Sequence, residues 1–426
     1  MNILRRAEIY GLWDEHDLFI DFDPDVNFLI GANGSGKTTV INLIAASLNA
    51  DFPTLDRLPF NGIKLELRQL GTNIKPVIEI EKEPSTQPPF YGINYKIRDK
   101  SADKPTDYSL DSYEEQLSFR DSPSRYHREI IRRSNIGIID HLNRLVSISW
   151  LSIHRSEARK RPREDSGYES TVDNKLIDLS TELMKYFSAM SKEGADLIDS
   201  FQKGVFLSLI PEDTIDEIFT GIQQLDFEDE RSAIIDIFDS FNIESLTYEN
   251  SVDRHFRLLE ESREQLAENK PTIDLEHFGS LVHATRIHSL AKQWYALLQE
   301  QRKIYEPRDI FLTILNKMLL HKNINITAKN ELIAVMDSGL KLPIKQLSSG
   351  EKQLLIILGE ALLQEKSPCI YIADEPELSL HVEWQEALVD NLKLVNPNAQ
   401  TIFATHSPDI VSHYHDHLFN MEKFIS

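Results

Sequence analysis

Val26-Asn27-Phe28-Leu29-Ile30-Gly31-Ala32-Asn33-Gly34-Ser35-Gly36-Lys37-Thr38 is the stretch on which the fold turns. Val26 to Ile30 reads as an apolar strand that runs straight into a glycine-rich loop. Thr38 to Leu48 then carries Val40, Ile41, Leu43, Ile44 and Leu48 at helical spacing. Strand, loop and helix in this order, with Gly31 to Thr38 matching G-x-x-x-x-G-K-[ST], make a phosphate-binding loop. Gly31, Gly34 and Gly36 permit the tight turn in which backbone N–H groups face phosphate oxygens. The following helix adds its positive N-terminal end. Lys37 suits the β- and γ-phosphates as a point charge, and the Thr38 hydroxyl suits Mg²⁺. Asn33, Gly34, Ser35, Gly36, Lys37, Thr38 and Thr39 are therefore the candidate nucleotide-binding residues.

Three further motifs follow. Ile370 to Ala373 is a short unbroken apolar run, as expected of a parallel strand buried on both faces, and it ends in Asp374-Glu375-Pro376. Asp374 at the strand tip suits a Mg²⁺-bound water. Glu375 suits the general base that polarises an attacking water. Leu347-Ser348-Ser349-Gly350-Glu351-Lys352-Gln353 places a small-residue turn before an apolar helix reaching about Leu363. The Ser348 hydroxyl, the Gly350 N–H and the helix dipole make a second anion site. With the phosphate loop on one side of a nucleotide, this second helix end meets the γ-phosphate from the other. Phe403-Ala404-Thr405-His406 ends another buried strand, Gln400 to Ala404, and puts a histidine where it can sense a γ-phosphate. The candidate catalytic residues are Glu375, His406 and Lys37, and the candidate metal ligands are Thr38 and Asp374. His381, in Glu377-Leu378-Ser379-Leu380-His381, either contacts a partner's site or is an ordinary loop residue.

The whole chain has 426 residues, 41% of them apolar, enough for a large core and about two domains. Its formal net charge of −22 disfavours broad, non-specific wrapping by nucleic acid. The single cysteine, Cys369, lies in an apolar run and reads as a buried strand thiol. The first residues lack a signal-peptide core, and no run reaches the ~20 apolar residues of a membrane span, so the expectation is a soluble cytoplasmic protein. Ile3 to Ile9, Leu18 to Phe22, Ile63 to Leu67, Val77 to Ile80 and Ile93 to Ile97 read as strands of an antiparallel subdomain. Ser101 to Asp107 reads as a mobile loop, Ile136 to Leu145 as a helix and Val146 to Ile153 as a strand.

From Val172 to about Leu320 the pattern is helical. Leu176, Leu179, Leu183, Tyr186 and Phe187 form one apolar stripe; Leu275, Phe278, Val282, Leu290, Trp294, Leu297 and Leu298 form another. Pro211, Pro271 and Pro307 are expected to punctuate it at helix starts. The pieces are too short and irregular in phase for a long coiled coil. Ile324 to Thr327 and Leu332 to Met336 return to strands. The fold class is α/β, a P-loop NTPase head with a parallel sheet, an antiparallel subdomain and a helical insertion. The expected divisions are 1–155, 156–322 and 323–426.

Gly31 to Thr38, Leu347 to Gln353, Ile370 to Pro376 and Phe403 to His406 resemble, in that order, the Walker A, signature, Walker B and switch-histidine elements of the ABC-type ATPase heads of the SMC, RecF and OLD families. The resemblance covers about 1–100 and 324–415. It implies ATP and Mg²⁺ as ligands and head-to-head dimers or higher homo-oligomers. Two ATPs would lie between Lys37 of one chain and Ser348 and Gly350 of the other, acting in trans. The sequence departs from the pattern in three places. No glutamine fills the usual Q-loop position, for which His154-Arg155 is a substitute. The insertion reads as a compact block, not as long arms. With about 20 residues after His406, no Toprim nuclease of the kind found in OLD proteins is expected there.

That combination resembles the stand-alone ATPase subunits of bacterial anti-phage systems, first the PARIS ATPase (AriA-like), then the Septu ATPase (PtuA-like). Such a subunit implies slow, regulatory ATP turnover and a separate Toprim- or HNH-type nuclease effector. Two other readings stand beside it: a RecF-like DNA repair ATPase, and an interaction protein that retains ATP without hydrolysis. Arg155, Arg159, Lys160, Arg161 and Arg163, and Arg125, Arg128, Arg132 and Arg133, are either nucleic-acid contacts or solvated faces. Tyr10 and Trp13 either stack on adenine or pack in the core. His283, His288 and Trp294 read as structural, the histidines having no carboxylate partners in sight.

Overall fold

The computed structural model describes residues 2–84, 91–110, 137–151, 171–208, 226–267 and 275–425. They divide into two compact units, Met1–Lys185 with Arg308–Ser426, and Tyr186–Pro307. The first unit holds a five-stranded parallel sheet in the order Leu418–Asn420, Val26–Ile30, Ala399–Ala404, Cys369–Asp374, Ile148–Leu151. Its central strands are buried along their length, which explains why they read as unbroken apolar runs and not as alternation. Cys369 sits in this sheet, fully buried, and burial pushes its thiol up to about 11. The Lys37–Asn49 helix packs Val40, Ile41, Leu43 and Ile44 into the same core.

A six-stranded antiparallel sheet completes the subdomain expected from the sequence. Its order is His16–Asp21, Asn2–Leu12, Gly62–Gln69, Val77–Pro84, Tyr91–Arg98, Thr106–Leu110. The last strand corrects the loop expected over Ser101 to Asp107: Thr106–Leu110 pairs with Tyr91–Arg98, and its polar residues fit an edge position. Residues 137–145 are helical, as read, and the strand that follows is Ile148–Leu151. A three-stranded sheet, Lys341–Pro343, Leu332–Met336, Lys322–Ile326, precedes the helix Ser349–Leu362.

One side chain joins the two large sheets. Gln400, fully buried in the parallel sheet, accepts from Leu4 N at 2.8 Å and donates to Leu4 O and Asp23 O at 2.7 Å each. Its amide copies the donor and acceptor of a neighbouring backbone where no strand pairs, and so satisfies the groups that a sheet corner exposes.

The second unit is helical and has its own core. Thr171–Leu207 and Leu275–Met318, of 37 and 44 residues, run into it from the first unit. They are longer than the short pieces expected. Phe227–Ser240 and Ser245–Ala267 lie wholly within it. Phe227, Tyr248, Val252, Phe256, Leu259 and Leu281 pack together, and Phe201 meets Trp294 at 5.4 Å. Three expectations need correction here. Pro307 lies inside the Leu275–Met318 helix, where continuity outweighs the lost N–H, and starts no helix. Leu275, expected on the apolar stripe, is 88% exposed among the described residues. His288 does have a carboxylate partner, Glu230, at 2.5 Å. Pro211 and Pro271 lie outside the described residues.

Replacing Gln400 by Leu keeps the volume but removes both hydrogen bonds to Leu4. The expected loss is roughly 2–4 kcal/mol of stability, read as a lower thermal midpoint. A midpoint equal to wild type would show that the junction is held by apolar contacts alone.

Candidate functional site

The parallel strands end level. Leu29 lies opposite Ala404, and Ala404 opposite Asp374. The phosphate loop, the Asp374-Glu375 pair and the Thr405-His406 turn therefore leave neighbouring strands at one carboxyl edge, where open α/β sheets bind ligands. The sequence spacing of the motifs says nothing of this; the register supplies it.

The loop from Gly31 to Gly36 turns through three positive-φ glycines, and Gly36, at φ 82°, is the residue that caps the Lys37–Asn49 helix. A Cβ on Gly31 would come within 2.7 Å of Ser35 Oγ. Lys37 is only 5% exposed, and its ammonium donates to Gly31 O at 2.8 Å and Ala32 O at 3.1 Å. Burial lowers its pKa, opposed by the carboxylates of Glu375, Asp374, Glu422 and Glu377. Thr38 donates to Asp374 Oδ1 at 3.1 Å. These are two hard oxygen donors, separated by nearly the ~2.9 Å of adjacent ligands on octahedral Mg²⁺ with bonds of 2.0–2.1 Å. The donor set thus fits that ion. Among the described residues no cluster of three or more His, Cys, Asp or Glu suits a metal, so phosphates and water would fill the remaining positions.

Glu375 adopts φ 49°, the left-handed region, and its N–H donates to Ala404 O at 2.8 Å. Such a conformation at a non-glycine residue costs of order 1 kcal/mol and is held by its surroundings. His406 is exposed at its strand tip. Ser348 caps the Ser349–Leu362 helix in a reciprocal box: its hydroxyl accepts from Glu351 N at 3.4 Å, and Glu351 Oε2 accepts from Ser348 N at 2.8 Å. Burial alone would raise the Glu351 carboxyl, but bonds from Lys322 and Ser348 hold it below the usual range. Ser348 and Ser349 remain exposed. Among the described residues neither Ser348 nor Gly350 hydrogen-bonds the phosphate loop of its own chain.

Gly350 instead faces the turn after Asp374-Glu375. A Cβ there would lie 2.3 Å from Ser379 O and 3.6 Å from the Trp384 ring. Gln353 donates to Pro376 O at 2.7 Å. Sequence reading missed Gln353, Glu377 and Glu422. Glu377 is buried, and its Oε1 accepts from the Thr405-His406 turn. Glu422 accepts from Ala32 N at 2.8 Å. For Glu377 a signal existed, a third carboxylate directly after Asp374-Glu375-Pro376; for Glu422 there was none. His381 is exposed at the start of a short helix. Trp13 packs against the core, and Tyr10 donates to Glu8 at 2.7 Å. His154, Arg155 and both basic groups lie outside the described residues. A cavity of about 660 Å³ in the helical unit is lined by none of the motif residues.

Residues 26–412 match the family described as "AAA domain, putative AbiEii toxin, Type IV TA system". The chain belongs to that family. Its domain is a P-loop ATPase domain of the AAA type. A curated relative, the Retron Vc95 probable ATPase of Vibrio cholerae serotype O1 biovar El Tor, is 28% identical over 127 residues. That match spans 27% of this chain and about a quarter (24%) of the relative's length. Similar solved structures include the Smc head domain with an extended coiled coil, bound to the C-terminal domain of ScpA, derived from Pyrococcus furiosus. It has a TM-score of 0.44 and 14% identity, over 97% of this chain and 92% of that one. The Smc head with coiled coil and joint derived from Pyrococcus yayanosii has a TM-score of 0.42 and 14% identity, over 97% and 93%. Among the described residues no helix is long and apolar enough to cross a membrane.

Gly350→Ala forces a methyl group against a backbone carbonyl, which only movement of the 376–379 turn relieves. The expected result is a loss of roughly 1–3 kcal/mol together with a fall in ATP turnover. Wild-type turnover in a stable variant would mean that the close approach is incidental.

Proposed function

We propose that this chain hydrolyses ATP at sites shared between two copies, and that the cycle controls a separate nuclease in an anti-phage defence complex. The observation that carries the hydrolysis reading is the level ending of the buried parallel strands. It gathers Lys37, the Thr38–Asp374 pair, Glu375 and the His406 turn at one edge. Loop N–H groups and Lys37 bind the incoming phosphates, Lys37 giving up the carbonyls of Gly31 and Ala32 for phosphate oxygens. Mg²⁺ held by Thr38 and Asp374 supplies neutralising charge. Glu375 takes the proton of the attacking water, and His406 hydrogen-bonds the γ-phosphate.

Ser348 and Gly350 of a second copy complete the pocket. The exposure of Ser348 and Ser349, and the lack of hydrogen bonds from Ser348 and Gly350 to the phosphate loop of their own chain among the described residues, support this reading. ATP favours the engaged dimer because the second set of contacts exists only there. Since full geometry needs two chains, turnover is slow and regulatory. The name of the retron relative supports a defence role. An adjoining gene for a Toprim-type nuclease would assign a PARIS-like system, and one for an HNH-type nuclease a Septu-like system. Neither gene beside this one would remove the defence reading.

Glu375→Gln is expected to keep ATP binding, cut turnover roughly 10²–10⁴-fold and accumulate dimer in light scattering. Undiminished turnover would remove Glu375 as base. Lys37→Ala is expected to weaken nucleotide binding. Mixing Lys37→Ala with Ser348→Ala chains that co-assemble leaves one intact site in each mixed dimer, so activity returns that neither variant has alone. No recovery at any ratio would rule out shared sites.

A further inference from the structure

Glu377 is 8% exposed, yet it belongs to neither the phosphate loop nor the Asp374-Glu375 pair. One oxygen, Oε1, accepts three hydrogen bonds: from Thr405 Oγ1 at 2.6 Å, His406 N at 3.0 Å and Ser407 N at 3.3 Å. The other, Oε2, is buried without a hydrogen-bond donor among the described residues. A buried carboxylate satisfied on one side only is costly to keep for packing alone.

The turn it holds does not need it to form. Ser407 N also donates to Thr405 Oγ1 at 2.9 Å, and Ser407 Oγ accepts from Asp409 N at 3.2 Å and donates to Gln385 Oε1 at 2.7 Å. The local hydrogen bonds therefore shape the turn, while Glu377 ties it to the neighbouring strand tip. The same segment is gripped from the other side. Gln353 donates to Pro376 O, and Gly350 lies under Ser379 O. Residues 376–379 thus stand between the Ser349–Leu362 helix and the histidine turn.

We propose that Glu377 is a positioning residue for ATP hydrolysis. It pins the backbone of residues 405–407 to the Asp374-Glu375 tip, so that the His406 imidazole is presented at a fixed place beside the γ-phosphate. It acts through His406 and touches no reacting atom. This rests on the proposed hydrolysis reading.

The test is a double-mutant cycle of Glu377→Ala and His406→Ala, read as kcat, KM for ATP, affinity for a non-hydrolysable ATP analogue, and thermal midpoint. Glu377→Ala is expected to lower kcat roughly 10- to 100-fold, the cost of a misplaced group, with KM and analogue affinity little changed. Glu377→Gln recovers part of the loss, because its amide oxygen still accepts from Thr405 and His406. The double variant is no slower than the slower single one. Multiplicative losses, or a raised KM at unchanged kcat, would overturn the proposal, as would a His406→Ala variant with wild-type kcat. Should Glu377→Ala aggregate, the cycle is read with Glu377→Gln. Lys37→Ala and Glu375→Gln run alongside. If they turn over normally, the hydrolysis reading itself has failed; if they are inactive and the cycle is multiplicative, only the role of Glu377 falls.

Discussion

The structure depends on parallel register. Hydrogen bonds between Val26–Ile30, Ala399–Ala404 and Cys369–Asp374 set three strand tips level, although the first carries a motif hundreds of residues before the other two. A slip by one residue would turn every side chain to the opposite face. Burial on both faces makes that slip prohibitive, since Tyr371, Phe403 and Phe28 would each lose a fitted place in the core. Apolar packing therefore fixes the geometry of a polar site.

Several conformations that cost energy lie around that edge. Glu375 and Ser379 both have positive φ without being glycine, and Lys37 and Glu377 are buried charges. Glu375, Lys37 and Glu377 are held by bonds from different elements: Ala404 O for Glu375, loop carbonyls for Lys37, the histidine turn for Glu377. Gly350 allows the helix that begins at Ser349 to come close enough to touch this network through Ser379. A change at the helix start is thereby felt by the turn that follows Glu375.

Much of the fold was legible in the sequence because its signals are local. The phosphate loop has a fixed spacing, and the buried strands are short apolar runs. What stayed hidden was non-local. Gln400 reads as one polar residue in an apolar run, and only the corner between two sheets gives it a purpose. Glu377 stands in the sequence as a third carboxylate after Asp374-Glu375-Pro376, and only the adjacent strand makes it a tether. Pro307 misled because local chemistry predicts a break, whereas the 44-residue helix continues through it. His288 looked unpartnered because Glu230 is 58 residues away in sequence.

The Val26–Ile30 strand lies between Ala399–Ala404 and Leu418–Asn420, two strands that leave the ribosome nearly four hundred residues later. Contacts of such separation are slow to form, because a long loop must close before any of them is made. The early half of the nucleotide site must therefore wait, with its apolar strand unpaired, through synthesis of the whole helical unit. The nascent chain carries an aggregation-prone edge for most of its translation. A prematurely terminated chain would have a phosphate loop but no neighbour to support it.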